Sequence, residues 1–579
     1  MSLAAPNDRV ITVRKLALSL GPFGVVLTSA LLVHAPGILF DVGVRNLDFN
    51  AHYAWAVQFA EGLRDGDPYP HWMWRGNFGL GEAALLFYSP LFYYVCGVFY
   101  YVCGAVRLLT SNTWAAMRIV FVLSTILTGI YGWRLLRPWT GNVHALVGAL
   151  LVQWAPMIFM IFYYFNGFPW AVGFAALVAL THYVVRRGAF EHWVDVRVSL
   201  AVAVLVLTHL VSALMALISF SFMSLWFVRR TKDGSRAVHR AVSWFVSAGF
   251  GLALSMFYLF PALSGMHLIS SAVWTTVFTP WNAFAFPTVT ALSFGMRWFS
   301  FQWAVPAVVL FGVVAATWRA WRGDVSNRLV EPLMIMLIVS WASLFLASEL
   351  SYPLWLIDTP LRLVQFPHRF IYVSSATGLL ANLLALSDLR RIGPTRLQKL
   401  VVALPLVLGF VSTGVLSAKL SFIDGKPHRL SVDDTKPYAG LPEYRPPTQG
   451  EHWHDYYRAG GFAAECAEKM LTCRAIETTS LLQAWLVSGS QPAHLRLPLF
   501  VFPAWQVTID GTSVLSAADP ATGLISIDLP AGTHRVAASW TRLDAERIGL
   551  ITSVLAALLL VVIAPRRRLL LSTWSGSGS

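Results

Sequence analysis

Residues 48–91 read DFNAHYAWAVQFAEGLRDGDPYPHWMWRGNFGLGEAALLFYSPL, and their setting decides the fold class. The stretch lies between two long apolar runs and is itself too polar to cross a bilayer. It holds Asp48, Glu61, Asp65, Asp67 and Glu82, and with Asp41 just upstream it carries six of the 29 acidic residues. Carboxylates are costly beside hydrocarbon, so a loop that gathers them between spans is a candidate site. Asn50 can cap a short helix that runs to about Leu63, where Asp65-Gly66-Asp67-Pro68 stops it. Trp55, Phe59 and Leu63 recur at i, i+4 and i+8, an apolar face able to lie in a membrane interface. Asp48 sits just before this helix and His52 near its first turn. A carboxylate near the positive helix start stays ionised. An ionised carboxylate beside a greasy surface suits a general base; the same residue could also do no more than cap the helix.

Outward from this loop the chain is membrane protein. Of its 579 residues 56% are hydrophobic and 12% charged, against about a quarter charged in a soluble domain. Apolar runs fall at about 16–36, 87–108, 116–136, 143–163, 167–185, 197–212, 213–228, 240–262, 302–320, 331–348, 368–388, 400–418 and 548–563. The net charge of +14 comes from Lys and Arg in short connectors such as Arg134/Arg137, Arg186/Arg187, Arg229/Arg230 and Arg566/Arg567/Arg568. That is the positive-inside pattern and no signal for nucleic acid. Basic flanks at both termini require an even number of crossings, so one of the thirteen runs does not cross or one more exists. The run 87–108, dense in tyrosine, is the suspect. The first run shows no cleavage site and is expected to remain as a span. The expectation is an all-α polytopic protein of about 12–14 spans. Loops 41–86, 263–301, 349–367 and 419–547 fall on the external face, as does the turn near His209.

Several patterns resemble a known family. Asp48-x-x-x-His52, Gly66-x-x-Tyr69-Pro70-x-Trp72, Asn77-x-Gly79-x-Gly81 and Tyr88-x-Pro90-Leu91-x-Tyr93-Tyr94 are similar to the first external loop of the YfhO-like, or 6-pyruvoyl-tetrahydropterin synthase-related, bacterial membrane proteins. These resemble the class C (GT-C) glycosyltransferases. Gln365-Phe366-Pro367-His368-Arg369-Phe370 resembles the family's QFPWRF, with His368 where Trp is usual. Phe502-Pro503-Ala504-Trp505 and Leu529-Pro530-Ala531-Gly532 resemble its terminal β-sandwich. The resemblance implies a bacterial inner-membrane enzyme with its site facing the periplasm or exterior. Its donor is a sugar on a polyprenyl phosphate and its acceptor a glycan, lipid or polymer. Asp48 would be the base, and one displacement predicts inversion.

Around this base the candidate substrate-binding residues are His52, Asn77, Glu82, His209, Arg297, His368 and Arg369. Arg369 suits a phosphate oxygen through its planar fork, and equally a snorkelling role at a helix end. Arg297 stands in an aromatic stretch from Trp274 to Trp303 that reads as a groove wall or as a lipid-facing loop. His209, in an apolar run, is a core histidine or a substrate-orienting one. A divalent metal through Asp48 with Asp41 or Glu82 is left open. A flippase for lipid-linked sugars and a non-catalytic polysaccharide-assembly subunit are the alternative readings; the scarcity of acids within the spans counts against the first.

The domain expectation is a membrane domain over 1–418 with its site loop at 41–90, an external domain over 419–547 that is β-rich in its second half, a last span and basic tail over 548–570, and a flexible tail over 571–579. Trp505–Ile509 with Thr512–Leu515 across Asp510-Gly511 reads as a hairpin, and 523–528 with 534–540 as another. Of the four cysteines, Cys96 and Cys103 lie in an apolar run; Cys466 and Cys473, close together in an external region, are expected to form a disulfide, with a metal site the weaker reading.

Overall fold

A computed structural model gives the structure of residues 21–35, 47–106, 113–186, 189–230, 234–273, 284–286, 304–387, 437–447 and 452–563, with isolated residues between 403 and 427. Asp41, Arg297, the Cys103 side chain, most of the expected span 400–418 and the terminal tail lie outside the described residues.

Among the described residues eight helices are long and apolar enough to cross a membrane. They are Thr113–Thr140, Asn142–Tyr163, Phe168–Val185, Leu210–Arg229, Gly234–Leu254, Asn327–Ala347, Pro367–Ser387 and Asp544–Ile563. Shorter apolar helices at Gly21–Ala35, Leu91–Tyr101, Val196–Thr208 and Val305–Trp321 accompany them. The protein is a mostly helical multi-pass membrane protein with a small antiparallel sheet domain near its C-terminus.

The helices break where the sequence gives a local reason. The run 87–108 becomes helix only at Leu91, because Tyr88 is extended and Pro90 has no amide hydrogen to donate. The two expected spans either side of residue 212 meet at His209 instead, an extended residue (φ −158°, ψ 103°). Ser89 stitches that break: its Oγ donates to Val206 O (2.8 Å) and accepts from Leu210 N (3.0 Å), the pair an unbroken helix would join directly. The run 240–262 divides in the same way at Ser255. There Ser553 of the last helix lends its Oγ to Phe257 N (2.8 Å) and Ala253 O (3.3 Å). The approach is so close that a Cβ on Gly549 would lie 2.3 Å from Met256 O, so only glycine fits. The outer face of Asp544–Ile563 exposes Ile551, Val554, Leu558 and Val562, as a helix against lipid requires.

The site loop begins with the helix Leu47–Arg64. Its apolar stripe does not lie in a membrane interface. Trp55 and Phe59 are fully buried, and Phe59 packs edge-on against Tyr94 at 4.8 Å. The tyrosines of the following helix offer this face a closer-packed partner than lipid headgroups do.

The C-terminal domain is a sandwich. One sheet runs Thr472–Thr478, Leu482–Gly489, Gly532–Trp540, Trp505–Ile509, Thr512–Ser513, and the other Ala493–Phe500, Leu524–Leu529, Ala517–Ala518. The first expected hairpin pairs Ile509 with Thr512 across Asp510 (φ 50°) and Gly511 (φ 83°). The second does not form: Leu524–Leu529 pairs with Ala493–Phe500, and Gly532–Trp540 crosses to the other sheet. The sequence LISIDL is buried at all but Asp528, so it is the centre of its own sheet and not a solvent-facing hairpin arm. Cys466 and Cys473 are disulfide-bonded and tie the helix Gly461–Glu468 to the first strand. Trp72 of the site loop packs among Phe502, Trp505 and Trp540, at ring distances of 5.4 to 6.0 Å, so the sandwich rests on the loop.

Candidate active site

Asp48 lies in the first turn of Leu47–Arg64, one turn before His52, so the helix begins earlier than the Asn50 cap suggested. An acidic side chain there meets unpaired amides and the positive end of the helix dipole, which favours starting at Leu47. Its side chain is accessible to water. Yet surrounding protein pushes the carboxyl above its ordinary range, with the Arg369 charge opposing the rise. Both hold at once only in a recess: open at its mouth, walled by protein.

Arg369 reaches this recess from the far side of the chain. It follows Gln365, whose backbone is strained (φ 65°, ψ −50°), a conformation that costs about 1–3 kcal/mol in a non-glycine residue. The turn aims two acceptors at the guanidinium: Val364 O and Gln365 Oε1, each 3.0 Å from Nη1. The Arg369 Cζ lies 5.6 Å from the Trp170 ring and 4.7 Å from the Phe366 ring. Trp170 stacks in turn on His209 (6.0 Å, 15° between planes). The His209 Nδ1 accepts from Ser212 N (3.2 Å) and meets Ser212 Oγ at 2.8 Å. A neutral imidazole whose Nδ1 accepts carries its hydrogen on Nε2. Tyr88 closes the recess, its ring 6.2 Å from His209 and 5.3 Å from His52. His52 is buried and bonded through Nδ1 to Tyr93 OH (2.7 Å), and burial pushes it down to about 3. It is a neutral wall residue that orients the tyrosines.

Beside Arg369, His368 lines an apolar cavity with Met157, Met160, Phe165, Pro306 and Ile371.

Asn77 and Glu82 are placed differently from a ligand-facing pair. Both are fully buried. Glu82 Oε1 accepts from Trp55 Nε1 (2.7 Å) and from Tyr438 OH, and Oε2 accepts from Leu441 N (3.2 Å). Asn77 donates to Gly81 O (2.9 Å) and accepts from Arg445 Nε (2.6 Å). They hold a strap, residues 437–447, across the loop. Phe78 N donates to Tyr438 O (2.8 Å) and Tyr438 N to Arg75 O (3.1 Å). The strap crosses at Gly440 (φ 66°), where a Cβ would sit 2.7 Å from both Asn77 Oδ1 and Glu82 Oε2. Its short helix Pro442–Tyr444 buries Tyr444 against Trp55 at 5.6 Å and Tyr88 at 6.5 Å.

The strap also carries Glu443, half-buried in the short helix Pro442–Tyr444 and with no motif around it in the sequence. Burial, with the Glu82 and Asp48 charges, holds its carboxyl up to about 7. Trp170 was likewise not singled out; the signal available was Phe168-Pro169-Trp170 opening a helix, which marks a helix start but not its neighbours.

No group of three His, Cys, Asp or Glu side chains able to hold a metal ion occurs among the described residues. The Glu82 oxygens already accept from three donors, so a cation held by Asp48 and Glu82 does not fit this arrangement.

No protein-family model and no curated protein matches the chain. Among solved structures it is similar to the Archaeoglobus fulgidus oligosaccharyltransferase. Against the form tethered to an acceptor peptide containing the NVT sequon, the identity is 15% and the TM-score 0.40, over 75% of this chain and 56% of that one. Against the complex with Zn and sulfate the identity is 14% and the TM-score 0.38, over 70% of this chain and 54% of that one. Against the apo form they are 14% and 0.42, over 78% and 59%. The chain spans a little over half the length of these structures.

Proposed function

We propose that the protein is a GT-C-like membrane glycosyltransferase that moves a sugar from a polyprenyl-phosphate donor to an extracytoplasmic glycan, lipid or polymer acceptor. The observation that carries this reading is that the Arg369 charge acts on Asp48, with Arg369 held against Trp170 and next in the chain to His368, which lines an apolar cavity. On this reading Asp48 takes the proton of the acceptor hydroxyl as that oxygen attacks the anomeric carbon. Arg369 receives the charge that builds on the departing lipid phosphate. The Nε2 hydrogen of His209 is a further donor for sugar or phosphate oxygens. The slot lined by Met157, Met160 and Phe165 takes the first isoprene units, which need apolar walls and no hydrogen bonds. A single displacement inverts the sugar carbon. The charge pattern of the connectors supports an extracytoplasmic position for this recess.

The test uses the full protein in lipid vesicles with a panel of farnesyl-phosphate hexoses and pentoses, measuring release of farnesyl phosphate. The wild-type chain should release it from at least one donor. Asp48→Asn should lower the rate by about a hundredfold or more, the usual share of a general base. Release by Asp48→Asn at the wild-type rate would overturn the assignment.

A further inference from the structure

We propose that the connector between the spans Asn327–Ala347 and Pro367–Ser387 is a lip seated in the lipid of the outer leaflet, and that the donor's isoprenoid chain enters past it to Arg369. The seat of the lip stands on its own surface; the donor's passage rests on the transfer reading above.

The connector is apolar where a loop in water would be polar. Residues 350–357 read LSYPLWLI, with no charged residue between Glu349 and Asp358. Leu350 is 79% exposed, Leu356 53% and Ile357 55%, and Tyr352, Leu354 and Leu363 are exposed with them. A run of large exposed apolar side chains marks a surface that meets something other than water. The surroundings favour lipid. Trp341 and Phe345, one turn apart near the end of the incoming span, are exposed as well, so the lipid-facing side of that span continues into the connector. Charge lies only at the rim, where Arg362 Nη1 stands 3.8 Å from the exposed Asp358 Oδ1. An apolar segment edged by charges suits a bilayer interface. Arg319/Arg322 and Arg390/Arg391 flank the two spans at their other ends, which favours the outer leaflet.

The backbone is prepared for the loss of water. In lipid the carbonyls that end a helix need partners within the protein. Trp355 O and Leu356 O, at the end of the short helix Tyr352–Leu356, accept from Arg362 Nε (3.1 Å) and Nη2. Trp355 Nε1 donates to Ser351 Oγ (3.0 Å).

The inner side of the lip meets the wall of the donor site. Trp355 is buried, edge-on to Phe284 at 6.4 Å and to Phe370 at 6.3 Å. Ala285 and Ile371, the chain neighbours of those two rings, line the apolar cavity with His368. Beyond the lip the chain runs through Pro360–Val364 to Gln365, whose Oε1 holds Arg369. One stretch of chain thus joins the exposed leucines, the cavity wall and the guanidinium. A lipid-borne donor is held in the leaflet by its chain, and a lip in the same leaflet brings that chain to the cavity and its phosphate to Arg369.

Nitroxide accessibility in the full protein tests the seat with no substrate present. In a Cys96→Ala, Cys103→Ala background in lipid nanodiscs, Leu350→Cys, Leu356→Cys or Ile357→Cys carries the label. Each should collide more with oxygen, which concentrates in lipid, than with a water-soluble nickel chelate. A label at Asp528→Cys, exposed on the sandwich, should show the reverse. Lip labels that favour the nickel chelate overturn the proposal, as do lip labels shielded from both, which would mean a protein cover. The second arm compares a polyprenyl-phosphate sugar dissolved in vesicles with a water-soluble citronellyl-phosphate sugar. The double variant Leu356→Gln, Ile357→Gln should raise KM for the first by about tenfold and leave KM for the second unchanged, which also shows that the variant is folded. An equal change with both donors, or none with either, overturns the donor's passage. Labels in lipid, with neither donor consumed by the wild-type chain, would instead remove the transfer reading and leave the lip in its leaflet.

Discussion

Arg369 is held by Val364 O and Gln365 Oε1 on one side and by the Trp170 and Phe366 rings on others. A guanidinium fixed this way is set for a planar, two-pronged partner. Arg369→Ala should weaken binding of a polyprenyl-phosphate analogue by roughly ten- to a hundredfold, the worth of a charge-assisted contact, while Arg369→Lys recovers only part. Full rescue by lysine in a binding titration would leave Arg369 as a headgroup anchor. Glu443 carries a second consequence, in stability. A carboxyl held above its ordinary 4.5, up to about 7, contributes stability below the ordinary value and loses it as pH rises through the raised one. Amide protection factors in residues 438–447 should therefore be higher at pH 5 than at pH 8, and Glu443→Gln should abolish the difference.

At the scale of elements, the helix pair around His209 and the pair around Ser255 share one device. A serine from another part of the chain enters the helical ladder and bonds both groups the break would orphan. At His209 the serine is Ser89, from the end of the site loop, so loop and bundle are sewn together beside the recess. Ser89→Ala should destabilise the protein by about 1–3 kcal/mol, the cost of a buried unpaired donor, read as a lowered thermal midpoint in detergent. It should also disturb donor binding, because His209 sits at the break. No sequence pattern announces such an insertion. Hydropathy located the apolar runs, since length and composition fix a span, but the serines lie more than a hundred residues from the helices they enter, with separations of 117 and 296.

For the whole molecule, the sandwich rests on the site loop through Trp72 among Phe502, Trp505 and Trp540. Trp72 is 1% exposed, and Trp72→Ala should cost about 3–5 kcal/mol. The loss should appear as proteolytic release of the C-terminal domain while the membrane helices stay folded. This scale also separates what sequence could convey from what it could not. The helical membrane class followed from composition, and the sheet domain from turn dipeptides such as Asp510-Gly511. Asp48 and Arg369 stood out because charge is conspicuous next to apolar runs. Glu82 stood out for the same reason and was read as ligand-facing; only the fold shows its oxygens accepting from a strap. Glu443 stayed hidden because its environment is built by residues from the other end of the chain. A carboxylate between Pro442 and Pro446 looks solvated until the fold buries it within range of the Glu82 and Asp48 charges.

The strap has a consequence for biogenesis. Tyr438 follows Glu82 by 356 residues, so at ribosomal speed of about 5–20 residues per second the loop waits about 20–70 s for its clasp. During that interval the Glu82 oxygens lack the Tyr438 and Leu441 donors that the strap supplies. A nascent chain thus lacks the closed loop until most of its length has been made. A chain ending before Tyr438 should insert its helices normally, then be degraded rapidly as an open, inactive intermediate. Pulse-chase labelling of that truncation against the full chain would measure how much the clasp contributes to survival in the membrane.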